Sequence, residues 1–297
     1  MKNYLEIFAS RFNDSSVNEL KEWADDPVFS KLISILNSTS DEQSFLNHYA
    51  EAMVAGYFKK RNCKLEYEVP NINDKRTDFK ITKDDYSFFI HLKMLNLDKE
   101  SQKDSKITKR LQELRQIHKP VIFCALFHCS LSDEEMQELY KEAKSFIKYS
   151  EVGSEMSFKN KCQIKLLPGP VGKNVQLVLS MSVKCVDDRK RLYKRLSEAH
   201  KQFMSEAINI ILVTSNWETD FEDFETALLG TTYEDYTVIP PKRGRKNNGF
   251  WSLEKHPDSY IVGWFNFVRR VDSLNFRMFY RDSYEVPALV RNLFELR

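Results

Sequence analysis

The chain has 297 residues, of which 42% are hydrophobic and 13% aromatic; this excludes a disordered chain and suffices to bury one large core or two modest ones. With only 8 Gly and 9 Pro, collagen-like, Gly-linker and Pro-rich readings fail. The formal net charge of +2 is close to neutral, so any attraction for a polyanion must come from local patches.

The longest uncharged apolar stretch, near Val121–Ser132, is too short to cross a bilayer as a helix. The opening MKNYLEIFASRFND carries charges where a signal peptide needs an apolar run. No membrane association is expected. Cys63, Cys124, Cys129, Cys162 and Cys185 are odd in number and form no CxxC, which points to a reducing, cytoplasmic setting rather than a disulfide framework.

In chain order, Leu5, Phe8 and Phe12, then Phe29, Leu32 and Leu36, recur at helical spacing. Ser38-Thr39-Ser40-Asp41 offers an N-cap for a longer helix through Phe45, Tyr49, Met53 and Phe58, ending near Asn62. Three strand-like runs follow at Lys64–Val69, Thr77–Ile81 and Tyr86–Leu95, with turns at Pro70–Lys75 and Lys83–Asp85. A helix over Ser105–Ile117, stopped by Pro120, leads into a buried strand at Val121–Phe127, and Asp133–Ile147 is again amphipathic.

Beyond residue 150 the pattern begins anew. Strands at Gln163–Leu167 and Val175–Lys184 flank a PGPVGKN turn. A basic helix, Arg189–Ser205, precedes a strand at Ile208–Thr214 and an acidic helix, Asp220–Leu229, that ends at Gly230. Aromatic strands at Tyr260–Val268 and Asn275–Tyr280 come before a last helix from Val286. The expected fold is α/β, a mixed central sheet flanked by helices, with residues 1–150 as an N-terminal core and 151–297 as a second α/β half. YSFFIHLKML, a basic helix and VIFCALF are weakly echoed by VQLVLSMSVK, a basic helix and NIILVTS, either as an internal duplication or as the common strand-helix-strand unit recurring.

Charge is unevenly placed. Residues 101–119 hold six basic and two acidic side chains, 184–201 seven and three, and Pro240–Gly249 four and none. Residues 216–236 hold seven acidic and no basic ones. Arg189, Lys190 and Lys194 on the basic helix, and Lys242, Arg243, Arg245 and Lys246 in the loop, are the candidate contacts to a nucleic-acid backbone, with Trp251 available for stacking. Solvated helix faces and a mobile loop are the plainer alternatives. The acidic segment is a candidate surface for a protein partner or a second copy.

GPVGK at 169–173 is not a phosphate-binding loop, because Asn174 stands where Ser or Thr is required. Cys124, His128 and Cys129 fit no zinc spacing. GxSxG, HExxH and GxGxxG are absent from the sequence.

The chemically informative stretch runs from Glu51 to Lys93. Asp78 lies in a short strand, and His91 and Lys93 share one face of the next while Ile90, Leu92 and Met94 take the other. A lysine within FFIHLKML is costly unless its ammonium finds a partner or a wet cleft. Capping, core packing and snorkelling account for each residue singly.

Together, Glu51 on its helix, Asp78 in RTDFKI, HLK on the third strand and a following helix into VIFCALF resemble the PD-(D/E)XK nuclease superfamily, the restriction-endonuclease-like fold. The likeness covers roughly residues 45–130. It implies that Asp78, Glu51 and the residue at position 91 hold a divalent cation, Mg²⁺ or Mn²⁺, while Lys93 serves the attacking water. The implied activity is metal-dependent hydrolysis of DNA phosphodiesters, with restriction or anti-phage defence as the implied context.

Two departures stand out. Thr77 replaces the motif's proline. His91 replaces its second acid, and a neutral imidazole is a poor Mg²⁺ ligand. A softer ion such as Mn²⁺, a displaced acid such as Glu66 or Glu68, or a degenerate nuclease fold kept as a nucleic-acid-binding or assembly subunit are the three readings that follow.

Overall fold

The computed structural model describes residues 15–70, 76–96, 99–181, 188–215, 221–237, 239–252, 255–266 and 274–295. The expected helix through Leu5, Phe8 and Phe12, the segment 216–220 and Cys185 lie outside these residues. The chain divides into two compact units, Met1–Asn96 with Asp187–Arg297, and Leu97–Val186.

The first unit is a mixed six-stranded sheet between helices. Helices α1 (Ser15–Glu22), α2 (Pro27–Ser38) and α3 (Glu42–Lys59) precede strands β1 (Lys64–Pro70), β2 (Arg76–Lys83) and β3 (Tyr86–Leu95). Asp41 caps α3 by accepting the Ser44 N–H at 2.8 Å, and Asn62 ends the turn after it with φ +56°, as the sequence predicts. Helix α3 is apolar nearly all round, so it is buried along most of its length.

Strands β1, β2 and β3 run as an antiparallel meander. Beyond β3 the sheet continues with β8 (Ile208–Ser215), β11 (Ile261–Asn266) and β12 (Phe276–Tyr280), in the order β1-β2-β3-β8-β11-β12. The β3–β8 and β8–β11 pairs are parallel and β11–β12 antiparallel. Central β8, INIILVTS, is apolar almost throughout because both faces of the sheet are covered. Phe45, Tyr49, Phe58, Phe79, Ile90 and Phe294 pack on one face, under α1–α3 and the last helix, α8 (Ala288–Phe294). Leu192, Leu196, Ile211, Val213, Phe224 and Trp264 pack on the other, under α6 (Asp188–His200) and α7 (Phe221–Leu229).

The second unit is inserted between β3 and α6. It holds α4 (Lys99–Leu111), β4 (Val121–Phe127), α5 (Asp133–Tyr149), β5 (Glu155–Phe158), β6 (Cys162–Pro168) and β7 (Gln176–Ser180). Its sheet runs β5-β6-β4-β7, with β4 and β7 parallel. Phe123, Leu139, Ile147 and Leu166 form a separate core, and a Ser132–Glu135 capping box starts α5.

This arrangement differs from the sequence expectations at four points. The division at residue 150 is replaced by an insertion, so residues 188–295 complete the first sheet rather than forming a second half. The crossover from β3 therefore ends in α6 and β8, not in the helix near Leu111 and VIFCALF, which belong to the inserted unit. Neither half of the internal echo is a strand-helix-strand unit of one sheet, because β3 and β4, like β7 and β8, lie in different sheets. Pro240–Gly249, read as a loop, contains β10 (Lys242–Arg245), which pairs with β9 (Thr232–Asp235) in a hairpin.

Candidate functional site

The β2–β3 ladder runs from Lys83↔Tyr86 to Phe79↔Ile90. At the next step Asp78 takes over with its side chain. Its Oδ2 accepts the Leu92 N–H at 2.6 Å, and Lys93 Nζ stands 3.8 Å from the same oxygen. The side chains of Lys93 and Asp78 are only 16% and 21% exposed. Asp78 and Lys93 are thus brought together where the two strands part.

Burial pushes the Asp78 carboxyl up to about 6; the Lys93 ammonium and the Leu92 N–H pull it down, while the charges of Glu51 and Glu68 add to the rise. An acid with such a value exchanges its proton near neutrality, which suits acid–base work.

Glu51, on α3, accepts the Tyr67 hydroxyl at 2.6 Å and faces His48 Nδ1 at 3.2 Å. The hydrogen bond with Glu51 raises the His48 pKa, although burial opposes it. Burial first, then the Glu51 charge, raises the Tyr67 phenol well above its ordinary value, so it stays a donor.

His91 is fully buried. Its Nε2 lies 3.0 Å from Asn209 Oδ1. The Asn209 amide is fixed by three further bonds. Its Oδ1 accepts the Met204 N–H at 2.9 Å, and its Nδ2 donates to the carbonyls of Met204 at 2.8 Å and Ala207 at 3.0 Å. The oxygen therefore faces His91, and Nε2 must carry the ring proton. Burial lowers the His91 pKa to about 4, with the Lys93 charge adding to the fall, so the ring is neutral. The Phe203 ring lies 5.0 Å away, and His91 Nδ1 has no hydrogen-bond partner among the described residues.

A hard divalent cation needs several converging oxygen ligands. Among the described residues no group of three or more His, Cys, Asp and Glu side chains can hold a metal ion. Asp78 is engaged by a backbone N–H and an ammonium and Glu51 by Tyr67 and His48, and His91 offers one neutral nitrogen, Nδ1, in place of an anionic oxygen. The predicted ligand set Asp78, His91 and Glu51 does not fit such an ion. The displaced acids are also spoken for. Glu66 pairs with Lys80 at 3.0 Å, and Glu68 pairs with Lys31 and with Arg76 at 3.0 Å.

The predicted basic contacts divide. Arg189 donates to Thr231 Oγ1 at 2.7 Å, at the base of the β9–β10 hairpin. Arg243 pairs with Glu234 at 2.8 Å and Arg245 with Glu225 at 3.2 Å. The basic loop and part of the acidic segment thus neutralise each other. Lys190, Lys194, Lys242 and Lys246 are exposed, Lys194 standing 4.0 Å from Glu198. Trp251 is not free to stack on a base: it packs against the α6–α7 core, its Nε1–H donates to Ser259 Oγ at 3.1 Å, and Arg281 covers its ring.

Asn209, Tyr67 and His48 escaped the sequence reading. Only Asn209 left a trace, as the one amide in the apolar run INIILV. No helix among the described residues is long and apolar enough to cross a membrane. No protein-family model, curated protein or solved structure matches the chain.

Proposed function

We propose that the chain is a nuclease-like α/β module with an altered catalytic position, which acts by holding nucleic acid rather than by cutting it with a metal ion. The observation that carries this reading is His91. It occupies the place of the second acid as a neutral, fully buried imidazole, which brings no anionic oxygen to a hard cation. The helix, three antiparallel strands and a parallel crossover strand, with Asp78 and Lys93 where β2 and β3 part, support the nuclease-like ancestry. The exposed lysines of α6 and the hairpin support a polyanionic partner.

The test is cleavage and binding of linear and circular DNA with Mg²⁺, Mn²⁺ or EDTA, alongside Lys93→Ala. The expected outcome is salt-sensitive DNA binding without metal-dependent cutting. Cutting that needs metal and disappears in Lys93→Ala overturns the proposal and establishes the catalytic alternative, a metal-dependent DNA endonuclease. That second reading draws on one observation, the Asp78 carboxyl near 6 beside Lys93.

A further inference from the structure

The β9–β10 hairpin presents an unusual combination of features. Its tip exposes two large apolar side chains, Tyr236 at 72% and Ile239 at 98%. Its acids lie at the surface on local partners. Glu234 takes Arg243 and the Tyr236 hydroxyl, and Asp235 takes the Thr237 N–H at 2.9 Å. Lys242 and Lys246 add two exposed cations beside the Arg243–Glu234 pair.

The base of the hairpin is rigidly seated. The Thr231 N–H donates to Asn248 Oδ1 at 2.9 Å, Asn248 Nδ2 donates to Thr231 Oγ1 at 3.0 Å, and the Lys246 N–H reaches the Thr231 carbonyl at 2.8 Å. Beside this base, Arg189, Lys190, Tyr193, Ala227 and Asn248 line a small cavity of about 190 Å³. Lys255 adds a further cation 5.7 Å from the Tyr193 ring.

We propose that this hairpin is a nucleic-acid wedge: a backbone phosphate seats in the Arg189–Lys190–Asn248 cavity, and Tyr236 and Ile239 insert beside a base and unstack it. This rests on the nucleic-acid reading above. Arg189 and Asn248 are joined to Thr231 and hold the wall in place, and the exposed Lys190 is the cation that faces an incoming phosphate; a cavity of this size suits a phosphate and its sugar. Apolar side chains on a rigid arm with flanking cations are what partial unstacking of a base step requires. A lipid surface is the less fitting partner. Two apolar side chains supply only about 2 to 3 kcal/mol each, and anchoring to a bilayer needs a larger apolar area or a second lipid-inserting signal.

The experiment uses the full chain and a DNA duplex carrying 2-aminopurine, read by anisotropy for binding and by fluorescence for unstacking. Wild type should bind and raise the 2-aminopurine signal. The double variant Tyr236→Ser, Ile239→Ser should lose that rise while still binding. The double variant Lys190→Glu, Lys246→Glu should bind about tenfold more weakly or worse, with a salt slope smaller by about 2. All four side chains are exposed, and unchanged melting of the variants confirms that they fold. Binding with no fluorescence rise, or a rise that survives in the tip variant, overturns the wedge and leaves nucleic-acid binding standing. Absence of binding to both DNA and RNA removes the underlying reading as well. Tip-dependent binding to anionic phosphatidylserine vesicles with no DNA binding overturns the wedge in favour of a membrane contact.

Discussion

The His91 Nε2–H donates to Asn209 Oδ1 at 3.0 Å, and this bond joins β3 to β8 inside the core at the position that the proposed nuclease-like reading gives to an acid. Because the Asn209 amide is held by Met204 and Ala207, it cannot turn to donate to a carboxylate at position 91.

His91→Glu is therefore expected to be destabilising and catalytically silent. The new carboxylate would meet the Asn209 carbonyl oxygen in a buried site and would stay protonated or disrupt the packing. A loss of about 3 kcal/mol or more in denaturant unfolding is the expected outcome. Restored metal-dependent cleavage in this variant would show that the side chain at 91 can swing toward Asp78, contrary to the packing seen. Asn209→Ala should cost about 2 to 4 kcal/mol, since it strands the His91 and Met204 N–H groups together.

Asp78→Asn should stabilise the protein at neutral pH. The folded carboxyl titrates at about 6 against 3.8 for an ordinary aspartate, so between these values the folded state binds more protons than the unfolded one. Stability then falls as pH rises through that window, and the ionised form carries a cost of up to about 3 kcal/mol at pH 7. Asparagine keeps an acceptor for the Leu92 N–H without the charge. A gain of about 2 kcal/mol at pH 7 that vanishes near pH 4 is expected. A loss at pH 7 would mean that the Lys93 ion pair outweighs the burial of Asp78.

His91 has the opposite slope. Its folded value is near 4 and its ordinary value 6.5, so between them the unfolded state binds the extra proton. The contribution is intact above about pH 6.5 and is lost as pH falls toward 4, amounting to about 3 kcal/mol. In wild type the two slopes oppose one another between about pH 4 and 6. In Asp78→Asn the compensation is gone, so unfolding midpoints measured from pH 7 to pH 4 should fall more steeply than in wild type. Parallel profiles for the two proteins would refute the Asp78 contribution.

Local patterns were legible in the sequence because they depend on near neighbours. The apolar spacing of Phe45, Tyr49 and Phe58, the Asp41 cap and the alternation in β3 marked their elements directly. The insertion was not legible. No Gly- or Pro-rich joint marks residue 97 or 187, and VIFCALF is as apolar as a strand of the first sheet. Which of two similar strands pairs with β3 is a long-range choice that periodicity does not encode. Strand β10, KRGR, has no apolar alternation at all and forms through pairing with β9 and through Arg243–Glu234 and Arg245–Glu225. At the site, the closeness of Asp78 and Lys93 followed from strand order. The Asn209 bond that fixes the His91 tautomer comes from a strand 118 residues away.

The seating of the hairpin depends on Gly230. Helix α7 stops there, with its N–H on the Thr226 carbonyl at 2.9 Å and φ +97°, a conformation that an L side chain resists. A Cβ at this position would also lie 2.1 Å from the Lys246 carbonyl oxygen. Gly153 has a similar φ of +92°, but open space where its Cβ would be. Gly153→Ala should therefore pay backbone strain alone, about 1 to 2 kcal/mol, whereas Gly230→Ala must also push β10 away from α7. The expected cost is about 3 kcal/mol or more, together with rapid amide exchange at Lys246, whose N–H now bonds Thr231. Equal losses in the two variants, with the Lys246 amide still protected, would show that the hairpin base can move aside and that the contact between Gly230 and Lys246 does not fix its position.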